Sequence, residues 1–189
     1  DLSKAELCNS DLCMADLSNA YIGKTDFSHA DLTGAKLADT DASVEKLTIN
    51  SRRYESIRNS YFLNADLTNA DFSNSDLGEV DLTNTTMSNA NLGGVNLENS
   101  DMIDSVLINA DLSDANLSNV NLSGANLTKA DLTNANFSNA DLSDANITRM
   151  DCKGVSFSGA DLTTVSGGWD TVDKTYLKIC GAKVEQSDE

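Results

Sequence analysis

The 189-residue chain contains no proline, one histidine and one tryptophan, and only 5% of its residues are aromatic. So few large rings exclude a bulky aromatic core. A single histidine, His29, removes the side chain that most acid–base and nucleophilic sites use, and no nucleophile–base arrangement accompanies it, so no enzymatic activity is expected. Basic residues are also scarce. Thirteen Lys and Arg stand against thirty Asp and Glu, a net charge of −17. Phosphate backbones are held by basic surfaces, so direct nucleic-acid binding is excluded and a basic protein partner is favoured. No apolar run approaches the roughly 18 residues of a membrane span, and no signal-peptide pattern is visible, so membrane insertion is not expected. The four cysteines, Cys8, Cys13, Cys152 and Cys180, lack zinc-site spacing. They read as unlinked thiols in a reducing compartment, which favours the cytoplasm. No cofactor and no metal site is expected: outward pairs such as Asp101/Asp104 and Asp111/Asp114 have no loop resembling an EF-hand around them.

What the chain does contain is a period of five. From Ala110 to Ile147 the large apolar residues are Leu112, Leu117, Leu122, Leu127, Leu132, Phe137, Leu142 and Ile147. A helix needs a period near 3.6 and a strand needs 2. Two residues before each of these centres sits a small residue, and immediately before it Asp or Asn; Ser or Thr usually follows. In extended backbone, residues two apart point the same way, so each pentapeptide turns one large and one small side chain inward and leaves three polar positions for water. A unit this short cannot bury its apolar side alone. Successive units must therefore stack, coil upon coil, at about 4.8 Å.

The motif A(D/N)LXX, as in ADLTNADFSNSDL (Ala65 to Leu77) and GANLTKADLTNANF (Gly124 to Phe137), resembles the pentapeptide repeat family over roughly residues 1–40 and 57–165. The resemblance implies an all-β fold: a right-handed quadrilateral parallel β-helix with four pentapeptides per coil. The expected organisation is a β-helix over 1–165, interrupted near 43–56, followed by a C-terminal cap and tail over 166–189 with a short helix.

The segment Asp41 to Ile57 breaks the pattern, and an unbroken count would bury Arg52 as an unpaired charge. The phase is the same on both sides, so the break is an excursion of a multiple of five residues, ten in the simplest case. Lys46, Arg52, Arg53 and Arg58 make it a basic loop in an acidic chain, either a partner-binding element or a loop folded back on acidic columns.

With twenty residues per coil, residues twenty apart share a face. One column before the centres reads Asp71, Asn91, Asp111, Asp131, Asp151, and the opposite one reads Tyr61, Asp81, Asp101, Asn121, Asp141, Asp161. The two columns between them carry mainly Asn towards the C-terminal end. Acid is thus concentrated on two opposite faces, a candidate surface for a basic groove, although Asp and Asn are also interchangeable turn-formers. At the C-terminus, Trp169, Tyr176 and Ile179 can close the last coil or form a two-fold dimer contact.

Two functions fit. The first is a non-enzymatic scaffold that binds a protein partner through its flat acidic faces and basic loop, as the resemblance implies for bacterial effectors and developmental regulators. The second is an acidic mimic of DNA that inhibits or protects a type II topoisomerase, the role the resemblance implies through its quinolone-resistance members, which are dimers. The centres here are mostly Leu rather than Phe, so the scaffold is preferred.

Overall fold

The structure, a computed structural model, describes residues 1–40, 60–162 and 164–166. Its backbone is a stack of coils joined by parallel bridges between residues twenty apart. The four columns run Tyr61–Asp81–Asp101–Asn121–Asp141–Asp161, Asp66–Thr86–Val106–Asn126–Asn146–Ser166, Asp71–Asn91–Asp111–Asp131–Asp151 and Asp76–Asn96–Asn116–Asn136–Ser156. One turn of the coil is therefore four pentapeptides. Its sides are named here, in chain order, the Asp101, Asp66, Asp111 and Asn116 faces.

Extended strands are replaced by single-residue bridges. The reason is local. After each centre the chain turns, as where Ala115 N–H donates to the Leu112 carbonyl at 3.2 Å. The third residue of each turn has positive φ, +57° at Asp114 and +57° at Asn109, as a type II turn requires. Asn, Asp and Gly dominate this position because they reach left-handed backbone most readily. With two of five residues used in turning, each ladder is one pair long.

The centres and the small residues two before them form the core. Leu112, Leu117, Leu122 and Leu127 are fully buried, with Ala110, Ala115, Val120 and Ala125 beside them. Where Ser or Thr takes the small position, its hydroxyl donates to a core-facing carbonyl: Ser60 to Ile22 at 2.6 Å, Ser75 to Leu37 at 2.7 Å, Ser100 to Leu77 at 2.8 Å. Ser105 Oγ is buried and makes no such bond among the described residues. In the coils beside the break three centres, Phe27, Phe62 and Phe72, are aromatic. Phe27 stacks on Phe62 with centroids 4.9 Å apart, and Phe72 meets Phe62 edge-on at 6.0 Å.

Across the break the bridges are Asp26↔Tyr61, Asp31↔Asp66 and Lys36↔Asp71, an offset of 35 in place of 20. The excursion thus contains fifteen extra residues, not ten. Thr40 begins the Asn116 face of its coil, since Asp76 N–H donates to its carbonyl, and Ser60 begins the next face, since Tyr61 N–H donates to Thr25. Elsewhere five residues separate two such positions; here twenty do. The multiple of five holds because any other length would shift the inward positions of one part against the other. An unbroken coil would have paired Asp26 with Lys46. Arg52 itself, and the C-terminal helix expected within 166–189, lie outside the described residues.

Candidate partner-binding faces

The residue before each centre has one local task. Its side-chain Oδ1 accepts the backbone N–H two residues on: Asp71 from Ser73 at 3.0 Å, Asp81 from Thr83 at 3.1 Å, Asp111 from Ser113 at 2.9 Å, Asp151 from Lys153 at 3.1 Å. Asn116 does the same for Ser118 at 3.3 Å. This Asx turn explains why the chain alternates Asp and Asn here, for both accept equally well. Asp131 and Asp141 also accept the hydroxyls of Thr133 and Ser143, each at 2.6 Å.

Asp and Asn differ in what remains. On the Asn116 face the amides form a ladder along the rod: Asn96 donates to Asp76 at 2.8 Å, Asn116 to Asn96 at 3.0 Å and Asn136 to Asn116 at 3.2 Å. A second ladder, Asn109 to Asn89 to Asn69, runs down a corner of the Asp66 face. The periodicity of Asn at twenty-residue intervals was the signal for these ladders, and spacing alone did not show their bonds. A carboxylate cannot donate and so cannot continue a ladder. In Asp111, Asp131, Asp141 and Asp151 the turn occupies Oδ1. Stacked carboxylates about 5 Å apart cost under about 1 kcal/mol per pair in water, less with salt, which the coil tolerates.

All eight expected acidic residues fall on the two opposite faces: Asp81, Asp101, Asp141 and Asp161 on one, Asp71, Asp111, Asp131 and Asp151 on the other. Each is exposed or half-buried. The expected basic-loop residues Lys46, Arg52, Arg53 and Arg58, and the expected cap or dimer residues Trp169, Tyr176 and Ile179, lie outside the described residues, as does Cys180. His29 is an exposed turn residue with φ +60°. Among the described residues no helix is long and apolar enough to cross a membrane.

Near the N-terminus, Asp11, Cys13 and Asp31 bring their side-chain ligand atoms within 4.8 Å of one another, all exposed. The Asp31 and Asp11 carboxylates accept the Cys13 thiol hydrogen and oppose its ionisation, pushing the thiol up to about 12 from 9.0. The hydroxyl and backbone N–H of Thr33, then the thiol, hold Asp31 below the ordinary carboxylate range. Cys13 is accordingly a poor nucleophile. A shift from 9.0 to about 12 cuts the thiolate about a thousandfold, and the greater nucleophilicity of a more basic thiolate recovers about thirtyfold. Alkylation of Cys13 by iodoacetamide at pH 8 should therefore run about thirtyfold slower than for an ordinary thiol. Asp31→Asn, which keeps the Asx turn, should speed it. Equal rates in the two proteins would refute the effect.

The model of the pentapeptide repeats matches the chain in eight copies over residues 1–39, 57–89, 65–104, 86–124 and 125–163. The chain belongs to the pentapeptide repeat family, and its fold is the right-handed β-helix solenoid of that family. Among solved structures it is similar to a pentapeptide repeat protein of the Arabidopsis thaliana thylakoid lumen, at 35% identity over 59% of this chain and 73% of that one, with a TM-score of 0.42. It is also similar to a trypsin-treated variant of QnrB1, a plasmid-mediated fluoroquinolone resistance protein, at 23% identity over 95% and 89% of the two chains, TM-score 0.43. A third is HetL of the cyanobacterium Nostoc, involved in heterocyst differentiation regulation, at 27% identity over 86% and 82%, TM-score 0.29. A search of curated protein sequences found no significant match.

Proposed function

We propose that this protein is a non-enzymatic scaffold whose Asp101 and Asp111 faces hold a basic surface of a protein partner. The observation that carries this reading is the division of labour among the faces. Asn serves the Asx turn as well as Asp, yet carboxylates are gathered on two opposite sides while a third side closes its polar groups into an amide ladder. The single exposed histidine, at a turn, supports a role without catalysis. Free thiols at Cys8 and Cys13 suit a reducing, cytoplasmic setting. The basic excursion and a C-terminal dimer contact belong to the same proposal.

The test is a charge-removing, turn-preserving variant with Asp101, Asp111, Asp131 and Asp141 all changed to Asn. A partner that co-purifies with the natural protein at low salt should be lost from this variant and kept by a variant altered only at Asn116 and Asn136. Retention by the first variant overturns the reading.

One observation favours the second reading, a protein mimic of DNA. The hundred residues 62–161 make five coils and contain fifteen acidic and three basic residues, a net charge of −12. At about 4.8 Å per coil that is one charge per about 2 Å of axis, close to the roughly 1.7 Å of duplex DNA. Inhibition or protection of bacterial gyrase in a supercoiling assay by a protein that light scattering shows to be dimeric, lost in the same fourfold Asn variant, would establish this reading. A monomer with no effect at micromolar concentration would remove it for gyrase.

A further inference from the structure

The Asp66 face differs from the other three sides. From Thr86 to Thr148 its outward strand positions hold no acidic residue, whereas over the same coils the Asp101 and Asp111 faces carry their carboxylates and the Asn116 face carries Glu98. In its middle the repeat changes character. Val106 stands where the neighbouring coils have Thr86 and Asn126, and Ile108 where they have Ser88 and Thr128. Leu107 between them is fully buried, so both flanking side chains point outward, and both are half-buried. The two corners of this face differ in charge. Asp104 and Asp144 occupy the turn before its strands, Lys129 and Arg149 the turn after, all four exposed and all with φ between +54° and +59°. Neither cation forms an ion pair with a described residue.

We infer that the Asp66 face is the contact of a parallel two-fold dimer, its occupant a second copy of this chain. The face is complementary to itself about one axis. A two-fold axis running along the rod, in the plane of contact, sets each corner of one copy on the opposite corner of the other at the same height. Asp144 and Arg149 are five residues apart in one coil, a quarter turn and about 1.2 Å along the rod, so each Arg149 meets the other copy's Asp144. The same axis sets Val106 on Ile108 and Asn126 on Thr128, apolar on apolar and polar on polar. Lys129 meets Gly124, and no like charges are opposed. A two-fold axis across the rod would set each corner on itself, and Arg149 would find no carboxylate. Charge also selects the occupant. A net charge of −17 opposes contact between copies, and on this side they meet without facing carboxylates, while a basic partner finds none in its strands. Three extended residues by four coils give a footprint of about 10 by 20 Å per copy, far below the roughly 800 Å² of a standard interface, so the dimer is a weak one. Pairing leaves both acidic faces open. It brings the Asp101 face of one copy edge to edge with the Asp111 face of the other on each side, which widens the acidic surface without depending on its role.

The experiment is sedimentation equilibrium of the full chain at physiological salt, which screens the overall repulsion. The natural protein should pass from one chain to two with a dissociation constant on the order of 0.1 mM. V106N/I108T copies the residues of the next coil, Asn126 and Thr128, so the repeat is preserved, and the dimer should be lost. R149D sets Asp on Asp144 and should weaken association about tenfold. D144R/R149D restores the opposite charges and should recover it. Circular dichroism checks that each variant folds. The fourfold Asp→Asn variant of the acidic faces should associate at least as well as the natural protein, so failure of the scaffold reading is distinguishable from failure of this one. A natural protein still monomeric at about 1 mM would overturn the proposal. So would a dimer that V106N/I108T and R149D both retain, as a contact through the C-terminal segment would be. Weakening in R149D without recovery in D144R/R149D would overturn the parallel axis.

Discussion

Deletion of residues 42–56 should leave a folded, uninterrupted β-helix. The deletion joins Asp41 to Ile57 and creates the unit Thr40-Asp41-Ile57-Arg58-Asn59, with a small inward residue, an Asx former, an apolar centre and an Asn at the left-handed position. The offset between Asp26 and Tyr61 then falls from 35 to the 20 found elsewhere. Removing a fifteen-residue loop also lowers the closure entropy, a gain on the order of 2 kcal/mol. Removing one residue more, 42–57, leaves four residues for a face that needs five. The first two coils would have to slip, which turns inward residues outward, or separate from the body. Hydrogen exchange reads the difference at the amides that cross the break, Phe27, Leu32, Leu37, Asp66 and Asp71. They should stay protected in the fifteen-residue deletion and lose protection in the sixteen-residue one. Equal protection in both would show that the register is not fixed as described.

Phe62→Ala should be the most damaging single truncation in the described coils, costing about 3–5 kcal/mol. Phe62 is fully buried and is the shared member of both ring pairs, stacked on Phe27 and edge-on to Phe72. It sits in the first coil after the break, where the chain cannot support the N-terminal coils by covalent continuity of the repeat. The stack contributes area and ring–ring contact at that junction. Leu117→Ala, in an unbroken stretch, should cost less, about 2–4 kcal/mol, because one aliphatic side chain leaves the smaller cavity. Urea unfolding of both variants checks the order. Phe62→Ala should also separate the loss of coils 1–40 from that of the body, since it weakens the one interface that joins them and each coil of a solenoid contacts only its neighbours. A loss under 1 kcal/mol for Phe62→Ala would contradict this packing.

The coil was legible in the sequence because inward and outward positions recur at a fixed interval, and Leu112, Leu117 and Leu122 announce it without any tertiary information. The four columns followed once twenty residues were taken per coil. Two things did not follow. The excursion length was undetermined, because ten and fifteen residues preserve the phase equally and only the pairing of Asp26 with Tyr61 distinguishes them. The roles of Asp and Asn were also hidden. Composition treats them as alternatives, and the Asx turns do as well, but the ladder through Asn96, Asn116 and Asn136 requires a donor that Asp lacks.

The most direct measurement is face-selective photo-cross-linking. A photoreactive residue is placed in turn at Ser113 and Ser143, beside the carboxylates of Asp111 and Asp141, and at Ser118, beside Asn116. Each protein is irradiated with its partner at low and high salt. Cross-links from Ser113 or Ser143 that fade as salt rises, with none from Ser118, are the predicted result. Cross-links from Ser118 as strong as those from the acidic faces, and unchanged by salt, would contradict the assignment of binding to the carboxylates.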